Sequence, residues 1–188
     1  MQRIGTVTLI TDRLILRRWR IEDAEDMFRN WAQSETVTKY LTWPPHTAVE
    51  ESRDYIQSVI DSYPDGRYDW VIEWKETHEA IGAIGVNQIR EVIASCEIGY
   101  CLCERFWGKG IMPEAFGEII RFLFEEVGMN RIQATHDPRN PKSGRVMEKC
   151  GLKYEGTLRQ ASRNNQGVCD EVMRAILRED YFSNQEST

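Results

Sequence analysis

The residues best suited to chemistry lie in one run: Glu97-Ile98-Gly99-Tyr100-Cys101-Leu102-Cys103-Glu104-Arg105-Phe106-Trp107-Gly108-Lys109-Gly110-Ile111-Met112-Pro113-Glu114-Ala115. A strand pattern enters a glycine-bearing turn, and the turn opens a helix. Free amides at a helix N-terminus, with the helix dipole behind them, make an anion site. Gly108 and Gly110 let the backbone come close to that anion. The same spacing also suits a tight turn that holds nothing. Two phosphate motifs are excluded: no Gly-Lys-Ser/Thr follows at the P-loop spacing, and the third glycine of the dinucleotide fingerprint is missing. Glu97 is a carboxylate that could accept a proton directly or through a water, or serve as a strand-edge hydrogen-bond partner. His136, at the end of a strand pattern, is a second candidate base. His46 beside two prolines and His78 in a turn read as surface residues.

The cysteines at 96, 101, 103, 150 and 169 are odd in number, and no pair has metal-ligand spacing, so neither a disulfide framework nor a metal site is expected. Cys101 and Cys103 share one strand face and raise the question of a covalent cysteine intermediate. No histidine stands beside them, and cysteine is a commonly buried residue.

Elements must hold these groups in place. Arg13 to Trp19 alternates as a strand. Ile21 to Ala32 reads as a helix with acids in its first turn. Thr47-Ala48-Val49-Glu50 has the form of a capping box, followed by a helical stripe that Pro64-Asp65-Gly66 ends. Tyr68–Trp74, Ala80–Ile89 and Ser95–Cys103 are three strand patterns. Pro113–Val127 is an amphipathic helix stopped by Gly128. Arg131–His136 is a short strand, and Asn140 caps a helix from Pro141 to Cys150. Lys153–Leu158 and Val168–Leu177 are the last strands, and Ser183–Thr188 reads as a frayed tail. This order predicts one mixed α/β (α+β) layered domain over residues 10–178, with residues 179–188 as a C-terminal tail.

The chain has 188 residues, 41% hydrophobic and 29% charged, with a net charge of −6. The negative charge argues against nucleic acid as a partner. No apolar run is long enough to span a membrane, and the start has no secretory signal pattern, so a cytoplasmic location is expected. Residues 21–80 hold 14 acids and 5 bases, while residues 105–153 hold 9 bases and 6 acids. That split suits a cationic partner on one side and an anionic one on the other, or a solvated surface alone.

The Trp-Gly-Lys-Gly turn followed by Glu-Ala resembles the acyl-CoA loop of the GNAT superfamily of N-acetyltransferases. With Trp107 first, Gly110 fourth and Met112 sixth, Trp107 and Met112 depart from that family's pattern. Thr11-Asp12-Arg13-Leu14-Ile15-Leu16-Arg17, Glu97-Ile98-Gly99-Tyr100, Asn140-Pro141-Lys142-Ser143, Glu148-Lys149-Cys150-Gly151-Leu152 and Arg174-Ala175-Ile176-Leu177 are similar to segments of its ribosomal-protein N-terminal acetyltransferase branch. The resemblance implies a mostly antiparallel sheet of about seven strands with a splayed parallel pair, flanked by about four helices. It implies that the pantetheine arm of acetyl-CoA lies in the splay against the backbone of Cys101, Leu102 and Cys103. The pyrophosphate would sit on the amides of Gly108, Lys109, Gly110, Ile111 and Met112, with Trp107 as a further cofactor-binding residue of the loop. Asn140 would contact the pantetheine, or serve only as a helix cap, or do both through different atoms.

Many members of the superfamily place an acidic tyrosine on the helix after Asn140. Residues 141–150 hold none, which leaves Ser143 as a hydrogen-bond donor to the leaving thiolate or as an ordinary first-turn serine. Glu97 is the first choice of base, and Tyr40, Trp43 and Trp31 fall on the acceptor side. The implied activity is direct acetyl transfer to a primary amine without a metal. The favoured acceptor is a protein N-terminus such as that of a ribosomal protein, and a homodimer is compatible with the resemblance. A small-amine acetyltransferase and a non-catalytic acyl-CoA sensor are the alternatives.

Overall fold

The structure, a computed structural model, describes residues 1–185; residues 186–188 of the expected tail lie outside the described part. The strands are β1 (Leu9–Ile10), β2 (Leu14–Arg17), β3 (Asp69–Trp74), β4 (Ala80–Arg90), β5 (Ser95–Leu102), β6 (Arg131–His136), β7 (Lys153–Asn164) and β8 (Gly167–Leu177). They form a single sheet in the order β1-β2-β3-β4-β5-β6-β8-β7. The helices are α1 (Asp23–Met27), α2 (Glu35–Thr38), α3 (Val49–Ser62), α4 (Ile111–Phe122), α5 (Pro141–Lys149) and α6 (Arg178–Gln185). One π-helical turn extends α1 and another extends α4.

Alternation along the strands sends side chains to two helical layers. Cys96, Ile98 and Leu102 of β5 join Phe116, Ile119 and Leu123 in one core, against which Tyr100 packs. Cys101 points to the other face, where Trp19, Met27, Trp31, Ile56 and Val59 form a second core. Each full burial of such a side chain contributes about 1.5–3 kcal/mol.

β5 and β6 are the parallel neighbours, and they pair only at Ser95↔Arg131, Cys96↔Ile132 and Glu97↔Gln133. Beyond Glu97 the two strands part. The expected splay is present, and it starts at the candidate base.

Three details differ from the sequence reading. Thr47 directs both its N–H and its hydroxyl to Glu51, not Glu50, because α3 begins one residue later than a box at Glu50 requires. β7 runs on to Asn164, well past Leu158. Residues 178–185 form α6, and Tyr181 packs on Phe124 with ring centroids 5.2 Å apart, so the described part of the tail is docked.

Candidate active site

Gly108 and Gly110 both adopt left-handed backbone, with φ of +74° and +75°. That conformation disfavours any residue with a Cβ. It turns the chain so that Gly110 becomes the N-cap of α4. The amides of Ile111 and Met112 then have no intrahelical partner, and Pro113 brings no N–H of its own. A brace holds the loop from behind. Glu114 accepts from the Thr11 hydroxyl at 2.6 Å and from the Arg13 amide at 2.9 Å, while Arg13 Nε reaches its other oxygen at 2.6 Å. Arg13 Nη1 also donates to the Lys109 carbonyl at 3.0 Å. Trp107 Nε1 donates to the Leu102 carbonyl at 2.8 Å, tying the loop to the end of β5.

The open edge of β5 follows from its register. Cys103 N–H donates to the Ile81 carbonyl, and Cys101 pairs with Ala83. In an antiparallel ladder alternate residues face the partner, so Cys101 and Cys103 direct their backbone to β4. Ile98, Tyr100 and Leu102 face the splay. Of the three positions expected to meet a pantetheine, Leu102 alone has this orientation, and its carbonyl is already held by Trp107. A period-two argument could have found this once the register was known.

Glu97 sits where the splay begins. One of its oxygens accepts from Gln133 Nε2 at 2.9 Å. Arg131 holds Gln133 Oε1 at 3.1 Å and is itself forked onto Glu155 at 2.7 and 2.6 Å. The other Glu97 oxygen has no hydrogen-bond partner among the described residues. Gln133 carried no signal in the sequence, being one polar residue on a short strand.

Across the splay, the Asn140 side chain accepts from the Ser143 amide at 3.4 Å and caps α5. Tyr100 Oη lies 3.0 Å from both the Ser143 carbonyl and Ser143 Oγ. A carbonyl can only accept, so the arrangement that satisfies all three groups has Tyr100 donating to it and Ser143 Oγ donating to Tyr100. Burial pushes the Tyr100 phenol above its ordinary value, so it stays protonated. A tyrosine hydroxyl from β5 therefore stands beside the first turn of α5. His136 also lines the cavity: Nδ1 lies 2.9 Å from the Asp137 carbonyl, and Nε2 is buried without a partner. A Cβ on Gly144 would come within 2.7 Å of that nitrogen, so α5 seals it. All five cysteines are free, and burial pushes the Cys101 thiol up to about 12, which keeps it protonated. Among the described residues no His/Cys/Asp/Glu group could hold a metal.

A cavity of about 510 Å³ lies over the splay, lined by Glu97, Tyr100, Asn140 and Ser143 at its rear and by Tyr40, Trp43 and Tyr55 from the helical layer. His46, expected at the surface, also lines it and shares a 2.8 Å hydrogen bond with Ser52. Asp69 is the one acid of residues 21–80 that reaches the cavity among the described residues, and it is paired with Arg67 at 2.9 Å. The acidic excess of that half therefore lies elsewhere. On the far wall, Asp137 is paired with Arg139 at 2.6 Å and accepts from Asn164 at 2.8 Å. The tip of the β7–β8 hairpin then crosses to the helical side. Asn165 Nδ2 donates to the carbonyls of Thr38 and Trp43 at 2.8 and 2.7 Å, and its amide donates to Leu41 at 3.1 Å.

Loop amides, open strand edge and cavity together fit an acyl-CoA thioester, and comparison with known proteins agrees. Residues 13–153 match the acetyltransferase (GNAT) domain family. An uncharacterized N-acetyltransferase of Bacillus licheniformis is 36% identical over 175 residues, covering 93% of this chain and 98% of that one. The ribosomal protein uS5-alanine N-acetyltransferase of Escherichia coli is 26% identical over 187 residues, covering 95% and 94%. The microcin C7 self-immunity acetyltransferase MccE, solved with acetyl-CoA and AMP, superposes with a TM-score of 0.79 at 25% identity, covering 89% and 93%. The chain belongs to the GNAT acetyltransferases and is an acetyl-CoA-dependent acyltransferase.

Proposed function

We propose that the acceptor is the N-terminal α-amine of a protein, with ribosomal proteins the leading class, and that transfer is direct. The observation that carries this reading is the Asn165 clasp. The sheet, the helical layer, the clasp and the hairpin form a closed ring of elements around the cavity. A ring admits a thin, flexible chain end and resists a folded surface. The relationship to the uS5-alanine enzyme supports the same acceptor class.

Acetyl-CoA supplies the acetyl group as a thioester. The amides of Ile111 and Met112 and the brace from Arg13 hold its pyrophosphate, and the open edge of β5 at Ile98, Tyr100 and Leu102 holds the arm as an added strand would be held. Asn140 Nδ2 is free to bond the same arm. The unpartnered oxygen of Glu97 takes a proton from the attacking amine, directly or through one water. Gln133 orients Glu97 for this. As the C–S bond breaks, Ser143 Oγ–H turns to the departing sulfur and Tyr100 remains to support the serine. Tyr40 and Trp43 line the acceptor's path.

The test is the pH profile of Glu97→Gln. Turnover should fall well below wild type at neutral pH while acetyl-CoA affinity stays within about twofold, a gap typical of losing a general base being about 10²–10⁴. The gap should narrow at alkaline pH, where more of the amine is already neutral. A loss that stays constant across pH would make Glu97 a structural residue.

A further inference from the structure

Two arginines line the cavity, Arg163 from β7 and Arg67 from the segment before β3. Arg67 stands just ahead of β3 and donates from Nη2 to Asp69 Oδ2 at 2.9 Å. Asp69 is 6% exposed, and its other oxygen accepts from Trp19 Nε1 at 2.8 Å. The carboxylate is therefore fully engaged by the protein, but the guanidinium is not. Arg67 Nε–H is buried without an acceptor, and Nη1 has no hydrogen-bond partner among the described residues. Trp31, lining the same cavity, also carries a buried N–H with no acceptor. At this end of the cavity two buried donors, Arg67 Nε and Trp31 Nε1, have no acceptor among the described residues. A buried donor left unpaired is costly, and the arginine fork matches a carboxylate in shape and charge.

The floor between Arg67 and the candidate base is made of two glycines, and the side chains that lie over them are Asp69 above Gly85 and Asn87 above Gly99. Asp69 pairs with Gly85 across β3 and β4, and Gly85 pairs with Gly99 across β4 and β5. Gly99 lies on the Glu97 face of β5 by alternation. A Cβ on Gly85 would come within 2.9 Å of Asp69 Oδ2, so a side chain there would collide with the ion pair. Two inter-strand spacings separate Asp69 from β5, about 10 Å. An extended tripeptide covers about the same distance at ~3.4 Å per residue.

We infer that Arg67 selects acceptors that carry a carboxylate about 10 Å from the reacting amine. This deepens the N-terminal reading and rests on it. In a chain end, that carboxylate is the terminus of a tripeptide or an aspartate side chain at the third residue.

The experiment titrates trialanine and trialanine amide into CoA-loaded protein by calorimetry. The acid should bind at least about tenfold tighter than the amide, as expected for a charge-assisted fork. Arg67→Gln should collapse that ratio to within about twofold, and Arg67→Lys, which keeps the charge, should retain part of it. Melting curves check that each variant is folded. Hexapeptide amides with Asp or Asn at the third residue show whether a side chain serves as well as a terminus. The inference is overturned if wild type binds acid and amide alike or binds neither, or if Arg67→Gln weakens every peptide equally. Acetyl transfer is scored separately. If no peptide α-amine is acetylated while 8-aminooctanoate still outbinds its amide through Arg67, the N-terminal reading falls and the carboxylate site stands.

Discussion

Gly110 has left-handed backbone, and in the proposed reading an anion also approaches it closely. Gly110→Asp adds a Cβ at a φ of +75° and a negative charge against the pyrophosphate. The backbone cost of about 1–2 kcal/mol shifts the loop out of its binding conformation and the added charge repels the anion, so acetyl-CoA affinity should fall by more than tenfold, which is about 1.4 kcal/mol. Calorimetry on folded variant is the check, and unchanged affinity would remove the loop from the cofactor site. Ser143 and Tyr100 share one hydrogen-bonded unit and should behave as one. Ser143→Ala and Tyr100→Phe should each slow turnover by about tenfold or somewhat more, near the low end for losing a transition-state donor, because a thiolate asks less than an alkoxide. The double variant should lose little beyond the worse single, since the two act through the same proton. Additive losses, measured at saturating acceptor, would separate them into independent roles. The serine was readable from its place after a capping asparagine. The tyrosine was not, because its partner lies on another element, 43 positions away in sequence.

The β7–β8 hairpin is the element that sequence reading shortened, and the reason is physical. From Arg159 to Arg163 the strand is solvated on both faces apart from the half-buried Ser162, so no alternation marks it as β. Its pairing is also broken between Leu158 and Ser162, where Gln160 has a φ of +50°. Yet this polar stretch reaches the helical layer through Asn165. Asn165→Ala removes the two side-chain hydrogen bonds of the clasp. It should raise the acceptor KM several-fold and leave acetyl-CoA affinity within about twofold, since each lost bond is worth about 0.5–1.5 kcal/mol. Equal effects on both ligands would mean that the hairpin supports the fold as a whole. Asp137 anchors the same hairpin. Arg139 beside it, with help from Asn164, holds its carboxyl well below the usual range. A depressed folded pKa contributes stability above the ordinary carboxylate value of about 3.9 and loses it as pH falls toward the folded value. Asp137→Asn should therefore melt a few degrees lower than wild type at neutral pH, with about 2–4 °C for each kcal/mol lost. That gap should shrink below about pH 4. A gap independent of pH would mean that the charge of Asp137 does not contribute.

At the scale of the molecule, the sheet separates two chemistries. One helical layer, with α4 and α5, presents the loop and the Ser143–Tyr100 pair; the other, with α1 to α3, presents the aromatic wall of the cavity proposed to receive the acceptor. The splay at Glu97 is the gap through which they meet. This plan was visible in the chain because its determinants are local: two glycines before a helix, a capping asparagine, and a strand that carries a glutamate into the turn. The groups that were not visible, Gln133, Arg13, Arg67 and Asn165, act across strands or across layers. Their partners become known only when the register is known. The central claim is direct acetyl transfer to a chain's α-amine, and one measurement addresses it squarely. Protein, acetyl-CoA and a panel of N-terminal peptides containing an internal lysine are incubated together, with thiol release followed in solution and the acetyl group located by mass fragmentation. The account predicts one thiol released per acetyl gained, the acetyl on the α-amine, and none on the enzyme's own cysteines. Acetyl on the lysine alone, acetyl-cysteine on the enzyme in the absence of acceptor, or no thiol release with any amine would contradict it.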